Sequence, residues 1–107
     1  MKKLLFIFML FSQVIFAQIE ATHFNAGWNE ANNVPWFMDL DCKTKGHTDI
    51  AKNPDIAKKY KIAVVPTIII FKDGEEALRF QADLSFKMVA TKEEVIEAID
   101  ELLMSDF

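Results

Sequence analysis

The sequence predicts a small α/β domain with a central mixed β-sheet of about four strands flanked by helices. Two segments carry most of this prediction. Residues 67–71 (TIIIF) form an unbroken apolar run, which is typical of a strand buried on both faces. Residues 91–104 place their apolar side chains at helical spacing. With the weaker segments between them, the predicted order is β-α-β-(α)-β-β-α.

Composition limits the classes of protein to which the chain can belong. Of its 107 residues, 51% are hydrophobic and 26% charged, with 3 Gly and 3 Pro, which excludes disordered and collagen-like chains. A single Cys excludes an internal disulfide framework and a Cys-based zinc finger. The net charge is -4, and the 12 basic residues form no stripe that could bind phosphates. We therefore expect no nucleic-acid partner.

Residues 1–17 (MKKLLFIFMLFSQVIFA) have the pattern of a secretory signal peptide: two lysines, an apolar stretch and a final small residue. The apolar stretch has about 13 residues, whereas a membrane-spanning helix needs about 20. We therefore expect the protein to be exported, to the periplasm or beyond, with residues 18–107 as one domain and membrane contact only through the signal peptide. The alternative is that this stretch is a first strand or helix of the domain.

Three elements are predicted in the first half of that domain. Residues 19–24 (IEATHF) are rich in β-branched and aromatic side chains and predict a strand. Residues 29–41 predict a short helix, in which Asn29 would be the N-cap and Pro35 would lie near the start. Residues 45–50 (KGHTDI) predict the second strand.

The second half has stronger local signals. Asn53-Pro54 predicts the start of a brief helix over residues 55–60. Asp73-Gly74 predicts a two-residue hairpin turn between the apolar run and a strand at residues 77–81, because both positions tolerate positive φ angles.

The last helix and the stretch before it differ in how well they are specified. Thr91 and Glu94 predict a capping box, in which each side chain bonds the backbone amide of the other residue. Residues 84–90 alternate apolar side chains without a clear element type. They could form an extra edge strand, a loop packed on the sheet or a partner-binding patch.

The order of elements and two local motifs resemble the thioredoxin family. Val65-Pro66 precedes the buried strand and Asp73-Gly74 follows it, and residues 49–75 are similar to the thioredoxin stretch that contains the cis-proline. Residues 24–28 (FNAGW) are similar to the strand that ends at the tryptophan before the redox motif. The resemblance implies a minimal thioredoxin fold that lacks the family's N-terminal strand and helix.

The chain departs from that family at the redox motif. Cys-x-x-Cys follows the tryptophan in thioredoxins, whereas Asn29 and Asn32 stand at the two sulfur positions here. Since an amide cannot act as a redox nucleophile, we expect no catalytic residue and no cofactor. The alternative is a single-thiol enzyme that acts through Cys42, although the sequence favours the interpretation of that thiol as a small buried hydrophobe.

The resemblance also implies where a partner would bind. A cis Val65-Pro66 bond would turn the backbone of Val65 outward to bond an extended peptide, with Trp28 as an apolar contact. Asn29 and Asn32 could form a polar ledge beside Pro66. The alternatives are a trans proline that starts the strand, Asn29 as a helix cap and Asn32 in solvent.

His23 and His47 fall where thioredoxins have their buried acid and the lysine that it faces. Two imidazoles on adjacent parallel strands could share a proton or hold a metal ion with a carboxylate. Because two ligands make a weak metal site, we expect a hydrogen-bonded or half-exposed histidine pair and no metal.

The sequence therefore predicts an exported, redox-inactive thioredoxin-like protein that binds a peptide or protein partner in the groove near Trp28, Val65 and Pro66. A single-thiol oxidoreductase is the second hypothesis. A structural subunit of an assembly, with residues 84–90 as its interface, is the third. The oligomeric state and the partner's identity stay open.

Overall fold

The computed structural model describes residues 18–105, so the predicted signal peptide lies outside the described residues. Four strands, β1 (Ile19–Asn25), β2 (Thr44–Asp49), β3 (Thr67–Lys72) and β4 (Glu75–Gln81), form one sheet in the order β2-β1-β3-β4. β1 runs parallel to β2 and antiparallel to β3, and β3 runs antiparallel to β4. The predicted mixed four-stranded α/β fold is confirmed.

The apolar side chains of the central strands explain why these strands lie in the middle of the sheet. Ile68, Ile69 and Ile70 of β3 are fully buried, as the unbroken apolar run predicts. One face of the sheet packs against the C-terminal helix and the connection between β1 and β2. The main core cluster on that face consists of Ile19, Ala21, Val34, Phe37, Leu40, Ile68, Ile70, Val95 and Ile99.

Two helices flank the sheet: α1 (Pro54–Lys59) and α2 (Lys92–Met104). Pro54 occupies the first turn of α1, as predicted, because the missing amide hydrogen costs nothing there. Tyr60 follows α1 and packs its ring between Phe24 of β1 and Phe71 of β3. Within residues 18–105, no helix is long and apolar enough to cross a bilayer.

The cap of α2 differs in detail from the predicted capping box. The Thr91 hydroxyl accepts a hydrogen bond from the Glu94 amide at 3.2 Å, as expected. The Glu94 carboxylate, however, accepts from the Thr91 hydroxyl at 3.2 Å rather than from the Thr91 amide. Thr91 therefore caps the helix as predicted. The Glu94 carboxylate bonds the Thr91 hydroxyl instead of the Thr91 amide.

The predicted helix over residues 29–41 is wrong. The segment instead contains two 3-10 turns, Gly27–Asn32 and Phe37–Asp39. Asn33 is extended at the end of the first turn, with ψ of 142°. The chain thus leaves β1 through one tight turn, straightens, and returns to the core through Phe37 and Leu40.

The β3–β4 hairpin is the turn that Asp73-Gly74 predicts. Both residues have positive φ angles, 53° and 87°, as a two-residue hairpin turn of this kind requires. β4 is longer than predicted and begins directly after the turn, at Glu75. A register irregularity opposite Ile70 and Phe71 bends the pair.

Residues 84–90 could be an edge strand, a loop packed on the sheet or a partner-binding patch. The first of them lie in the tip of a loop. A single bridge pairs Ala82 with Met88, and the chain between them turns back on itself. The Asp83 carboxylate holds this turn by accepting bonds from the Ser85 amide at 2.9 Å and the Ser85 hydroxyl at 2.6 Å. We call residues 83–87 the tip loop.

Candidate functional site

The candidate site lies where four segments meet at one end of the sheet. The C-terminal end of β1 brings Asn25, and the 3-10 turn Gly27–Asn32 follows it directly. Val65 and Pro66 stand immediately before β3, next to the end of β1. The tip loop closes the site from the β4 side through Phe86. The fold therefore assembles the site from residues far apart in sequence.

Four asparagines form a connected hydrogen-bond network at the centre of the site. Asn25 donates from Nδ2 to the Asn29 carbonyl at 3.1 Å and to Asn33 Oδ1 at 2.6 Å. Asn32 donates from Nδ2 to Asn29 Oδ1 at 2.8 Å. The backbone carbonyl and the side-chain oxygen of Asn29 therefore both accept hydrogen bonds from asparagine side chains.

Asn29 also ties three segments of the chain together. Its Nδ2 lies 3.0 Å from Asn25 Oδ1, 3.2 Å from the Phe86 carbonyl and 3.4 Å from the Val65 carbonyl. Since an amide nitrogen carries two hydrogens, two of these three acceptors share one of them. Only 5% of Asn29 is exposed. The prediction that Asn29 caps a helix is wrong: its side chain forms no cap and bridges the site instead.

The two aromatic side chains of the site face outward. Trp28 is 66% exposed, and its ring meets that of Phe86 edge-to-face with 5.1 Å between centroids. Phe86 is 41% exposed and has a φ angle of 64°. By contrast, Trp36 is half-buried and packs against the core cluster. The pair Trp28–Phe86 is thus the exposed aromatic surface beside the start of β3.

Val65 and Pro66 lie at the same end of the sheet, where the Val65 carbonyl is 3.4 Å from Asn29 Nδ2. The peptide bond between them is cis. Val65 is 3% exposed, and Pro66 is among the fully buried side chains. The Pro66 carbonyl accepts a bond from the Ala82 amide at 3.0 Å. This bond attaches the start of β3 to the base of the tip loop. Of the five residues predicted to bind a partner, Trp28 is exposed, Asn32 is half-buried, and Asn29, Val65 and Pro66 are buried.

His23 and His47 stand directly opposite each other on the parallel strands β1 and β2. Their ring centroids are 4.9 Å apart, and Phe37 contacts both rings at 5.4 and 5.1 Å. His23 is buried, and its Nε2 accepts a hydrogen bond from the Val34 amide at 3.1 Å. An imidazole that accepts through Nε2 carries its proton on Nδ1 and is neutral.

Burial, and to a smaller extent the neighbouring His47, lower the pKa of His23 to about 4. The charged form would lose the Val34 bond, because a protonated Nε2 cannot accept. His23 is therefore a buried neutral acceptor that holds the start of the segment leading to Phe37.

A polar cavity of about 490 Å³ opens at the carboxyl ends of β1 and β2. It is lined by His23, Asn25, Ala26, Gly27, Glu30, Asn33, His47, Thr48, Asp49 and Lys52. Within the part of the chain that the structure describes, no three His, Cys, Asp or Glu side chains come together in an arrangement that could hold a metal ion. The two histidines thus have no third ligand there.

Cys42 lies far from the candidate site. It precedes β2, beside the start of β1, where the Lys43 amide donates to the Ile19 carbonyl. The site is at the opposite ends of both strands, roughly 20 Å away at about 3.3 Å per residue. Cys42 is half-buried, and burial raises the pKa of its thiol. The thiolate needed for exchange chemistry is therefore disfavoured.

Comparison with known proteins supports the same fold. No protein-family model matches the chain. A stretch of 41 residues is 51% identical to chloroplastic thioredoxin Y1 of Arabidopsis thaliana, and it covers 38% of this chain and 24% of that protein. A stretch of 27 residues is 52% identical to a thioredoxin of Staphylococcus epidermidis, covering 25% of this chain and 26% of that protein. The matched stretches span about a quarter of these curated relatives.

Solved thioredoxin structures extend the likeness to most of the fold. A malaria parasite thioredoxin-2, described as a component of the parasite's protein secretion machinery, superposes with a TM-score of 0.58 at 17% identity, covering 79% of this chain and 84% of that one. The chain has a thioredoxin-like fold. Reduced thioredoxin pre-protein of Schistosoma mansoni superposes with a TM-score of 0.55 at 20% identity, over 84% of this chain and 80% of that one. Because these identities are 17% and 20%, the structural likeness shows a shared fold.

Two parts of the site were missed at the level of sequence. Phe86 belongs to residues 84–90, and nothing in the sequence connects it to Trp28. Asn25 and Asn33 were not selected, although asparagines at positions 25, 29, 32 and 33 recur at roughly the spacing of one turn. That spacing is the signal from which the asparagine network could have been predicted.

Proposed function

We propose that the chain is an exported, redox-inactive thioredoxin-like protein that binds an extended segment of a partner protein in the groove near Trp28, Val65 and Pro66. The observation that carries this proposal is the exposed Trp28, which follows the C-terminal end of β1 at the same end of the sheet as Val65 and Pro66. Exposed aromatic side chains of this kind commonly dominate the free energy of protein binding.

The absence of thiol chemistry in this proposal is supported by the asparagine network. Asn29 and Asn32 stand where the resemblance places the two sulfurs, and neither side chain can transfer electrons. Asn29 uses its amide in internal hydrogen bonds. Cys42 is at the other end of β1, so a disulfide bound at Trp28 would lie out of its reach.

Export is supported by the sequence of residues 1–17, which has the charged, apolar and small-residue regions of a signal peptide. A docking protein without a redox pair also fits a compartment where other proteins supply disulfide chemistry. Its role would be to hold or deliver a partner segment.

Selection from a phage-displayed library of random heptapeptides tests the proposed binding. We expect the wild-type chain to enrich peptides whose affinity falls about tenfold or more in Trp28→Ala, since that substitution removes the central aromatic contact. The measurement is titration of the enriched synthetic peptides by isothermal calorimetry.

Trp36→Phe is the matched control, because Trp36 is the other tryptophan and packs against the core. We expect it to leave the affinity within about twofold of wild type. If no peptide is enriched, or if Trp28→Ala binds the enriched peptides as well as the wild-type chain does, the proposed docking surface is wrong.

A further inference from the structure

The polar cavity at the carboxyl ends of β1 and β2 lies directly beside Trp28. Gly27 and Glu30 both line this cavity, and they flank Trp28 within the same 3-10 turn. The cavity volume of about 490 Å³ is in the range of cavities that bind small groups. A bound segment that contacts Trp28 therefore passes the cavity within one or two residues of that contact, at about 3.3 Å per residue.

Asp49 brings an unpaired carboxylate oxygen to this cavity. Its Oδ1 accepts a hydrogen bond from the Ala51 amide at 2.9 Å, whereas its Oδ2 has no hydrogen-bond or ion-pair partner within residues 18–105. The Oδ2 atom lies next to Gly27, because a Cβ atom at position 27 would be 3.4 Å from it. Since glycine has no side chain, the carboxylate of Asp49 is left uncovered on the side of the turn that carries Trp28.

The charges around the cavity favour a cation as its occupant. Glu30 supplies a second, exposed carboxylate, which forms no ion pair with any residue that the structure describes. His23 is neutral, because its Nε2 accepts from the Val34 amide, so this buried part of the wall adds no positive charge. Lys52 is the single Lys or Arg among the described residues that line the cavity. The net charge of the chain, -4, adds a long-range attraction for basic groups.

We propose that the cavity binds a basic side chain, arginine or lysine, of the partner segment, with Asp49 as its main partner and Glu30 as a second carboxylate. This inference rests on the proposed function, since the same segment contacts Trp28. It gives the partner a chemical class: an extended segment in which an apolar and a basic side chain lie close together. The apolar side chain contacts Trp28, and the guanidinium or ammonium group donates to Asp49 Oδ2.

Titration with N-acetyl-arginine amide, followed by heteronuclear NMR, tests the cavity without a partner segment. We expect saturable shifts of the backbone amides of Gly27, Thr48 and Asp49, with a Kd on the order of 1–10 mM, because a single side chain makes few contacts. N-acetyl-citrulline amide is the matched probe, since it has nearly the same shape and no charge. We expect it to bind about fivefold more weakly or less, because it cannot form a charge-assisted hydrogen bond.

Three variants assign the binding of the arginine probe to this cavity. Asp49→Asn removes the charge but keeps the oxygen that accepts from the Ala51 amide, and we expect it to weaken binding about three- to tenfold. Lys52→Gln removes the opposing charge, so we expect the affinity to rise about twofold. Glu75→Gln is the matched control, because it makes the same change of net charge at the opposite end of the sheet. We expect it to leave the affinity within about 1.5-fold of wild type, since salt screens distant charges.

The enriched heptapeptides supply a second readout. We expect them to contain an arginine or lysine close to an apolar residue. Replacing that basic residue by glutamine should lower the affinity for the wild-type chain about three- to tenfold. The same replacement should lower the affinity for Asp49→Asn by less than about twofold, because the two groups interact directly.

Three outcomes would overturn the basic-side-chain site: no difference between the arginine and citrulline probes, an equal loss of affinity in Asp49→Asn and Glu75→Gln, or enriched heptapeptides without a basic residue. Each can occur while Trp28→Ala still weakens peptide binding, in which case the docking surface stands without the cavity. Trp28 is not among the described residues that line the cavity, so Trp28→Ala should leave binding of the arginine probe unchanged. If Trp28→Ala also has no effect on the heptapeptides, it is the proposed function that fails.

Discussion

Asn29→Ala is expected to lower the free energy of unfolding by about 3 to 6 kcal/mol. The substitution removes two to three hydrogen bonds, each with a net value of about 1 kcal/mol. It also leaves Asn25 Oδ1 without its donor, and an unsatisfied buried acceptor costs a further 1 to 3 kcal/mol or so. Urea denaturation of the two chains, followed by circular dichroism, measures the difference.

Two variants locate the origin of this effect. Asn32→Ala removes the half-buried partner that donates to Asn29, and we expect it to cost only about 1 kcal/mol. Asn29→Asp keeps the acceptor for Asn32 but loses both donor hydrogens, so it should destabilise at least as much as alanine does. Stability of Asn29→Ala within about 1 kcal/mol of wild type would mean that Asn29 does not hold the site together.

Acidification is expected to destabilise the chain by about 3 kcal/mol through His23 alone. Its pKa is about 4 in the folded chain and 6.5 when it is exposed, because burial disfavours the charged ring. As the pH falls from 7.5 to 4, the unfolded chain takes up this proton while the folded chain does not. The contribution is complete above pH 6.5 and is lost progressively towards pH 4, at about 1.4 kcal/mol per pH unit.

The comparison for this prediction is His23→Gln, whose side chain can accept from the Val34 amide but does not titrate. We expect its free energy of unfolding to fall about 3 kcal/mol less than that of the wild type between pH 7.5 and 4. The acidic residues of the protein contribute equally to both chains, so the difference isolates His23. Parallel curves of stability against pH would show that His23 is not a buried neutral acceptor.

The elements that the sequence predicts well are those fixed by local chemistry. Asp73-Gly74 has the positive φ angles that its hairpin turn needs, and Thr91 caps α2 through its own hydroxyl. The burial of Ile68, Ile69 and Ile70 follows from the length of the apolar run. In each case the neighbouring residues alone determine the structure.

The segment after β1 could not be predicted in this way, because distant residues decide it. Asn29 is locally a good helix cap, but its side chain finds the carbonyl of Phe86, 57 residues away, and that of Val65, 36 residues away. Those contacts, together with the extended Asn33 before Pro35, replace a helix by two short turns. Tertiary contacts here override the helix-capping preference.

The sequence predicted one part of the candidate site and missed another. The resemblance to thioredoxins indicated Trp28, Val65 and Pro66 together, and the fold does bring them to one end of the sheet. The resemblance carried no information about the tip loop, because residues 84–90 lie outside the stretches that are similar to thioredoxins. The contacts of Phe86 with Trp28 and Asn29 therefore became visible only in the structure.

Reduction of insulin disulfides by dithiothreitol tests most directly whether the site docks partners without thiol chemistry. The account predicts the same rate of insulin precipitation with the protein as without it, and no change in Cys42→Ser. A rate that rises in proportion to the concentration of the chain, and that is lost in Cys42→Ser, would contradict the account and make Cys42 a redox nucleophile.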